Sequence, residues 1–302
     1  MHPLAVHISD GILPFEWQFG GFVAAGILLN ACGRRLADAE IPRLALLSAV
    51  FFVASTIHVR VGGTSVHLLL SGLVGIVLGR RAVVAIAIGL FLQAALIGHG
   101  GFYSLGVNLC NMTLPALFAA ALFAGMRRVP GISGPVGRGV LVAGCIVLWG
   151  MSLVAGVEAI LAERRGDAAA WMTRPSQWWA FHPLTLTALF AAGVLCAALE
   201  RHFENSPDFP IGVLVGVVSV LATVGLTALV LRLALPDQAG IIGPVIFVAH
   251  LPIAALEGAV CGFAVSFLLR VAPGEVAISG PRQREDLIQR HLPLPQPDAD
   301  QG

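Results

Sequence analysis

Apolar runs of about twenty residues recur from one end of this chain to the other, and arginines stand almost only between them. They fall at residues 17–33, 43–59, 65–79, 82–98, 105–126, 139–161, 178–200, 210–235 and 242–270. A helix of roughly 17–25 apolar residues is what crosses a bilayer. The same stretches are too long and too continuous for the alternating faces of a soluble domain. Only 12% of the 302 residues are charged, and mean hydropathy is +0.87. The chain therefore reads as an all-α polytopic integral membrane protein with about nine transmembrane segments. The third and fourth runs are short and joined only by Gly79-Arg80-Arg81, so they read as tilted or partly re-entrant.

All 18 basic residues are arginine. With the N-terminus outside, thirteen fall in inner loops and the C-terminal stretch, and five in outer loops. This fits the inward bias of basic residues and sets the C-terminus inside. Residues 1–270 read as the transmembrane domain and 271–302, rich in Pro, Gln, Asp and Arg, as a disordered cytoplasmic tail. The net charge of +1 gives no reason to expect nucleic acid. The five cysteines stand singly in apolar runs, with no metal-ligand spacing. HExxH, GxxxxGK[ST] and GxSxG are all absent, which disfavours a zincin protease, a self-contained ATPase and one common hydrolase class.

Polarity is concentrated in a few stretches on the expected outer side: VHISDGILP (6–14), HVRVGGTSVH (58–67) and GHGGFYSLGVNLCN (98–111), with IFVAHLPIAALEG (246–258) starting near them. Non-helical backbone at membrane depth is tolerated only where protein or a cavity surrounds it, so these loops are expected to fold together. Histidine is a borderline ligand suited to Ni, Cu, Co and Zn. His7 and His67 are the leading candidates, because each sits in a glycine-containing loop and His67 also precedes a helix start. His58 and His2 are weaker ones. Ser9, Asp10, Thr64, Ser65, His99 and Asn108 read as supporting polar groups, His99 as a loop-closing hydrogen bonder. Glu257, an acid inside the last run, reads as structural or gating.

These blocks carry a resemblance. VHISDGILP, GGTSVHLL (62–69), QAALIGHGG (93–101) with SLGVN (104–108), and HLPIAALEG (250–258) occur in the order of the CbiM/NikM proteins. Those are the substrate-binding membrane components of energy-coupling-factor (ECF) transporters for cobalt and nickel. The resemblance implies a bacterial inner-membrane, multi-pass component without enzymatic activity of its own and without a cofactor. Its cargo would be Co(II) or Ni(II). Its partners would be a transmembrane coupling subunit, two ATPase subunits, a small accessory membrane subunit and membrane lipids. It also implies a roughly square-planar nitrogen site built from the N-terminal amine, a backbone nitrogen, His7 and His67. A backbone nitrogen ligand must lose its proton, so binding would weaken as pH falls.

The family's first methionine aligns with Val6, so translation from a GTG codon there is expected to free the amine beside His7; chelation by Met1-His2 is the alternative. The family has about seven spans, which makes 139–202 an inserted helix pair. An intramembrane metalloenzyme and a metal sensor using the same histidines are the competing functions.

Overall fold

A single span in lipid must satisfy every main-chain N–H and C=O internally, which leaves these apolar runs only the helix. A computed structural model describes residues 6–56, 58–61, 64–132, 134–165, 208–236, 246–247, 249–272 and 276. Within them lie helices α1 (Phe15–Gly33), α2 (Ile41–Thr56), α3 (Ser71–Leu78), α4 (Ala82–Ile97), α5 (Leu105–Met126), α6 (Pro135–Arg164), α7 (Phe209–Ala234) and α8 (Leu251–Val271). A short antiparallel hairpin of β1 (His58–Val61) and β2 (Thr64–His67) interrupts the helical chain and sets His58 opposite His67 in register.

Among the described residues, five stretches are long and apolar enough to cross a membrane: Asp38–Thr56, Ser71–Ile97, Leu105–Met126, Phe209–Ala234 and Leu251–Val271. Their outer faces carry large exposed side chains such as Leu46, Phe91, Phe118, Leu229 and Phe267. A soluble protein rarely exposes so much contiguous apolar surface; lipid is its natural solvent. The chain is a multi-pass membrane protein. Of the expected segments, 178–200 lies outside the described residues, as do most of 162–177 and nearly all of the tail. The first helix of the expected inserted pair is α6, which packs on α7 and α8.

The stretch Ser71–Ile97 is not one crossing. A continuous helix of that length would be about 40 Å long. Yet His67, just before it, and His99, just after it, have Nε2 atoms 3.2 Å apart. The chain doubles back at the 3-10 turn Gly79–Arg81. The first limb, α3, is therefore a half-helix of about 12 Å, and all eight of its residues are buried. It is wedged between two full helices. A Cβ on Gly75 would lie 2.1 Å from the Ala116 carbonyl oxygen of α5, and one on Gly72 would lie 3.0 Å from Ser219 Cβ of α7. Full burial explains why its hydropathy matches that of a span.

The Gly79–Arg81 turn is pinned to the far end of α1. The buried Arg81 guanidinium donates to the carbonyls of Cys32, Arg34 and Arg35 and to both carboxylate oxygens of Glu40. Helix α5 starts beside Ile8 and Asp10 and runs the other way, which puts Arg127 and Arg128 at this same end. There Arg127 Nε meets Asp208 at 2.7 Å, tying the end of α5 to the start of α7. So Arg34, Arg35, Arg80, Arg81, Arg127 and Arg128 gather at one end of the bundle, and the polar stretches 6–14, 64–70 and 98–104 gather at the other.

Helices α7 and α8 run antiparallel in close contact. Positions for a Cβ on Gly212 and Gly216 lie 2.8 and 2.9 Å from the Cα atoms of Gly262 and Gly258. Small residues allow such an approach in membranes, where dispersion contacts replace the hydrophobic effect. On α1, Gly21 and Ala25 are buried, Gly21 against Val107 of α5, while Gly20 and Ala24 stay exposed.

Candidate metal centre

The first polar stretch is held through its backbone on both sides of His7. Asn108 reads Ile8 as a strand would: its Oδ1 accepts from Ile8 N and its Nδ2 donates to Ile8 O, each at 2.9 Å. Ser104, one turn earlier and just before α5, donates its hydroxyl to the same carbonyl at 2.5 Å. On the other side of His7, the Val6 carbonyl accepts from Thr227 Oγ1 of α7 at 3.3 Å, and Asn111 Nδ2 donates to that hydroxyl. Asp10 closes the segment, accepting from Phe102 N and Ser104 N at 2.9 and 3.0 Å. Gly101 must lack a side chain here, since a Cβ would lie 2.2 Å from Asp10 Oδ1. The spacing in SLGVN thus has a physical meaning. Ser104 and Asn108 share one face of a helix, and both grip the residue after His7.

Helix α4 delivers the second element. Gly98 adopts a left-handed conformation (φ 62°) that ends the helix. His99 N then turns back to Gln93 O at 3.1 Å, which brings His99 to the end of the bundle where His7 lies. The third element is the hairpin. His67 closes β2, and its Nδ1 lies 2.9 Å from the Leu68 carbonyl. A carbonyl only accepts, so Nδ1 carries the proton and Nε2 keeps its lone pair.

These elements bring three imidazoles together. His7 stacks on His67 with centroids 4.9 Å apart and an interplanar angle of 23°. His99 meets His7 and His67 edge-on at 4.9 and 5.0 Å. One ring nitrogen from each lies within 4.8 Å of the others. His7 and His67 are 2% and 1% exposed, so water does not compete freely for their lone pairs. Imidazole binds transition metals at about 2.0–2.1 Å, and the 3.2 Å between the Nε2 atoms of His67 and His99 lets both face one ion. An all-imidazole set suits Ni, Co, Cu and Zn and discourages Mg and Ca, which take oxygen.

The comparisons with known proteins fit that donor set. The description "cobalt uptake substrate-specific transmembrane region", CbiM, matches residues 7–199 and 181–275. The chain belongs to the CbiM family. Among the relatives of this CbiM-family chain are the cobalt transport protein CbiM of Geobacter sulfurreducens and the fused nickel transport protein NikMN of Rhodobacter capsulatus. The first is 31% identical over 164 residues and the second 32% identical over 162; each match covers 51% of this chain and 46% of the relative. The chain spans about half the length of these curated relatives. The crystal structure of a truncated transition metal transporter shares the fold, with a TM-score of 0.53 at 18% identity over 87% of this chain and 98% of that one.

The remaining sequence candidates distribute around the centre. Ser9 is half-buried and Asp10 exposed at the rim. His58, Thr64 and Ser65 lie in the hairpin, where only the backbone is described. His2 lies outside the described residues. His99, read from the sequence as a loop-closing group, is one of the three clustered rings; GHGG looks like a turn, and nothing in its spacing pairs it with residues 7 or 67. His250 directs Nδ1 to the Ile246 carbonyl one turn back, at 2.7 Å.

Asn108→Ala tests the backbone grip. It leaves the buried Ile8 N–H without the acceptor it now uses, while Ile8 O keeps Ser104. The expected outcome is a melting temperature lowered by the loss of about 2 kcal/mol. Nickel affinity, measured by calorimetric titration, is expected to fall about 10- to 100-fold, as for other residues that orient metal ligands.

Proposed function

We propose that this chain is the substrate-capture component of an ECF-type importer for cobalt or nickel, taking the ion through His7, His67 and His99. The observation that carries the reading is the meeting of three imidazoles from three separate elements at the bundle end opposite most of the arginines. The inward bias of arginine makes that end the outer face, where an importer would capture its cargo. Resemblance adds the N-terminal nitrogens as further donors. It also adds a coupling subunit and two ATPase subunits as the source of energy, a small accessory membrane subunit, and the bacterial inner membrane as the site of action. ATP hydrolysis then belongs to the partners.

An intramembrane metalloenzyme is disfavoured by the state of the nearest carboxylates. A metal-assisted hydrolase needs an open coordination position and a general base. Asp10 and Glu257 both accept hydrogen bonds from main-chain N–H groups instead. A sensor would bind without moving the ion. Cells expressing this chain with its ATPase and coupling subunits are expected to accumulate labelled nickel or cobalt above cells that lack the chain. If neither metal accumulates with all subunits present in the membrane, the transport reading fails.

A further inference from the structure

The loop that ends in His67 is gripped from another helix. Three residues later comes Leu70, a leucine at φ 50° and ψ 14°. That left-handed conformation is uncommon for a bulky side chain and costs roughly 1–2 kcal/mol. It sits at the start of α3, where Leu70's own side chain caps nothing. The cap comes from another helix. Glu257, 2% exposed in α8, accepts from Leu69 N with Oε1 and from Leu70 N with Oε2 at 3.0 Å.

One carboxylate spends both oxygens on consecutive main-chain donors just after the ligand. It also stands at the N-terminus of a half-helix, where negative charge is favoured. Glu257 is itself held rigidly. Its neighbour Gly258 packs on α7 beside Gly216, and a Cβ on Gly216 would lie 3.0 Å from the Glu257 carbonyl oxygen. The chain of constraint runs from the α7–α8 crossing to Glu257, to the Leu69 and Leu70 amides, and on to His67.

We infer that Glu257 is a positioning residue of the metal site, holding His67 in its ligating place by gripping the backbone of Leu69 and Leu70 from α8. The inference rests on His67 being a ligand, as proposed above. It makes the α8 carboxylate the point through which a movement of α8 against the bundle would loosen His67 and weaken the hold on the ion.

The test compares Glu257→Gln, Glu257→Asp and Glu257→Ala with His67→Gln in the full-length, detergent-solubilised protein, using Ni(II) alone as the probe. Gln keeps the size and one good acceptor; Asp keeps the charge and loses the reach. The expected result is a nickel dissociation constant raised about 10-fold by Gln and about 100-fold by Asp and Ala, the range found for groups that orient ligands. Dissociation rates should rise in step, and the visible band of bound Ni(II) should shift away from that of the unmodified chain. A merely structural carboxylate would lower the melting temperature of the metal-free protein but leave affinity and spectrum native in the folded fraction; that result overturns the inference. If Glu257→Ala does not fold, the Gln and Asp variants decide by the same readouts. Native affinity and spectrum in His67→Gln would overturn the ligand assignment itself, which separates the two failures.

Discussion

His67→Ala is expected to abolish measurable nickel and cobalt binding and, with it, uptake. The imidazole is buried, its Nδ1 proton is committed to the Leu68 carbonyl, and its Nε2 faces the same small volume as His7 and His99. Alanine removes one nitrogen donor where no other described side chain is placed to replace it. Loss of a direct ligand exceeds the 10- to 100-fold effect of losing a residue that only orients one, so a drop of at least about 1,000-fold, or roughly 4 kcal/mol, is expected by titration. The fold should survive, because the close crossings of α3 with α5 and of α7 with α8 do not pass through this ring. His99→Ala is the informative companion. If His99 contributes a donor, its loss costs nearly as much as that of His67; if it only shapes the cavity, the cost stays near 10-fold. Unchanged affinity in His67→Ala would remove the centre from its proposed place.

Much of this arrangement is legible in the sequence, and the parts that are not share a cause. Hydropathy finds the helices because lipid forces backbone satisfaction inside each run. The clustering of polar stretches at one end follows from counting crossings and arginines. His7 and His67 stand out because each sits in a polar, glycine-containing stretch beside an apolar run. His99 does not, since its partners are 92 and 32 residues away and no helical or strand period links them. Their meeting is made by three separate reversals, two of which depend on remote contacts: Asn108 on Ile8, and Glu257 on Leu69 and Leu70. Hydropathy is equally blind to the difference between α3 and a true span. A half-helix buried in protein and a helix facing lipid demand the same apolar residues. What marks the reversal is the Gly79–Arg81 turn, and the 3.2 Å between His67 and His99 follows from it. Small residues on α1 are ambiguous in the same way; Gly21 is used inside the chain against α5, which spacing alone does not reveal.

The wedged half-helix yields the second large effect. Gly75→Val is expected to destabilise the detergent-solubilised protein by about 3 kcal/mol, at the upper end for overpacking a core, and to lower nickel affinity in whatever folds. The first Cβ atom would stand 2.1 Å from the Ala116 carbonyl oxygen, far inside van der Waals contact, and that oxygen belongs to a helix backbone that cannot rotate away as a side chain can. Helix α3 must therefore separate from α5. It has no open side to retreat into, because all eight of its residues are buried and Gly72, on an adjacent part of its surface, already lies against Ser219 and Gly216 of α7. Any shift of α3 carries Leu70 and Leu69 away from Glu257 and moves His67 with them, so stability and metal affinity should fall together. Gly20→Val supplies the control. It places the same side chain on α1 where a Cβ meets nothing within 4 Å, so it should leave the melting temperature and nickel affinity near those of the unmodified chain. A Gly75→Val protein that melts and binds like the Gly20→Val control would mean that α3 is not clamped between α5 and α7, and the route from the helix crossings to His67 would lose its middle link.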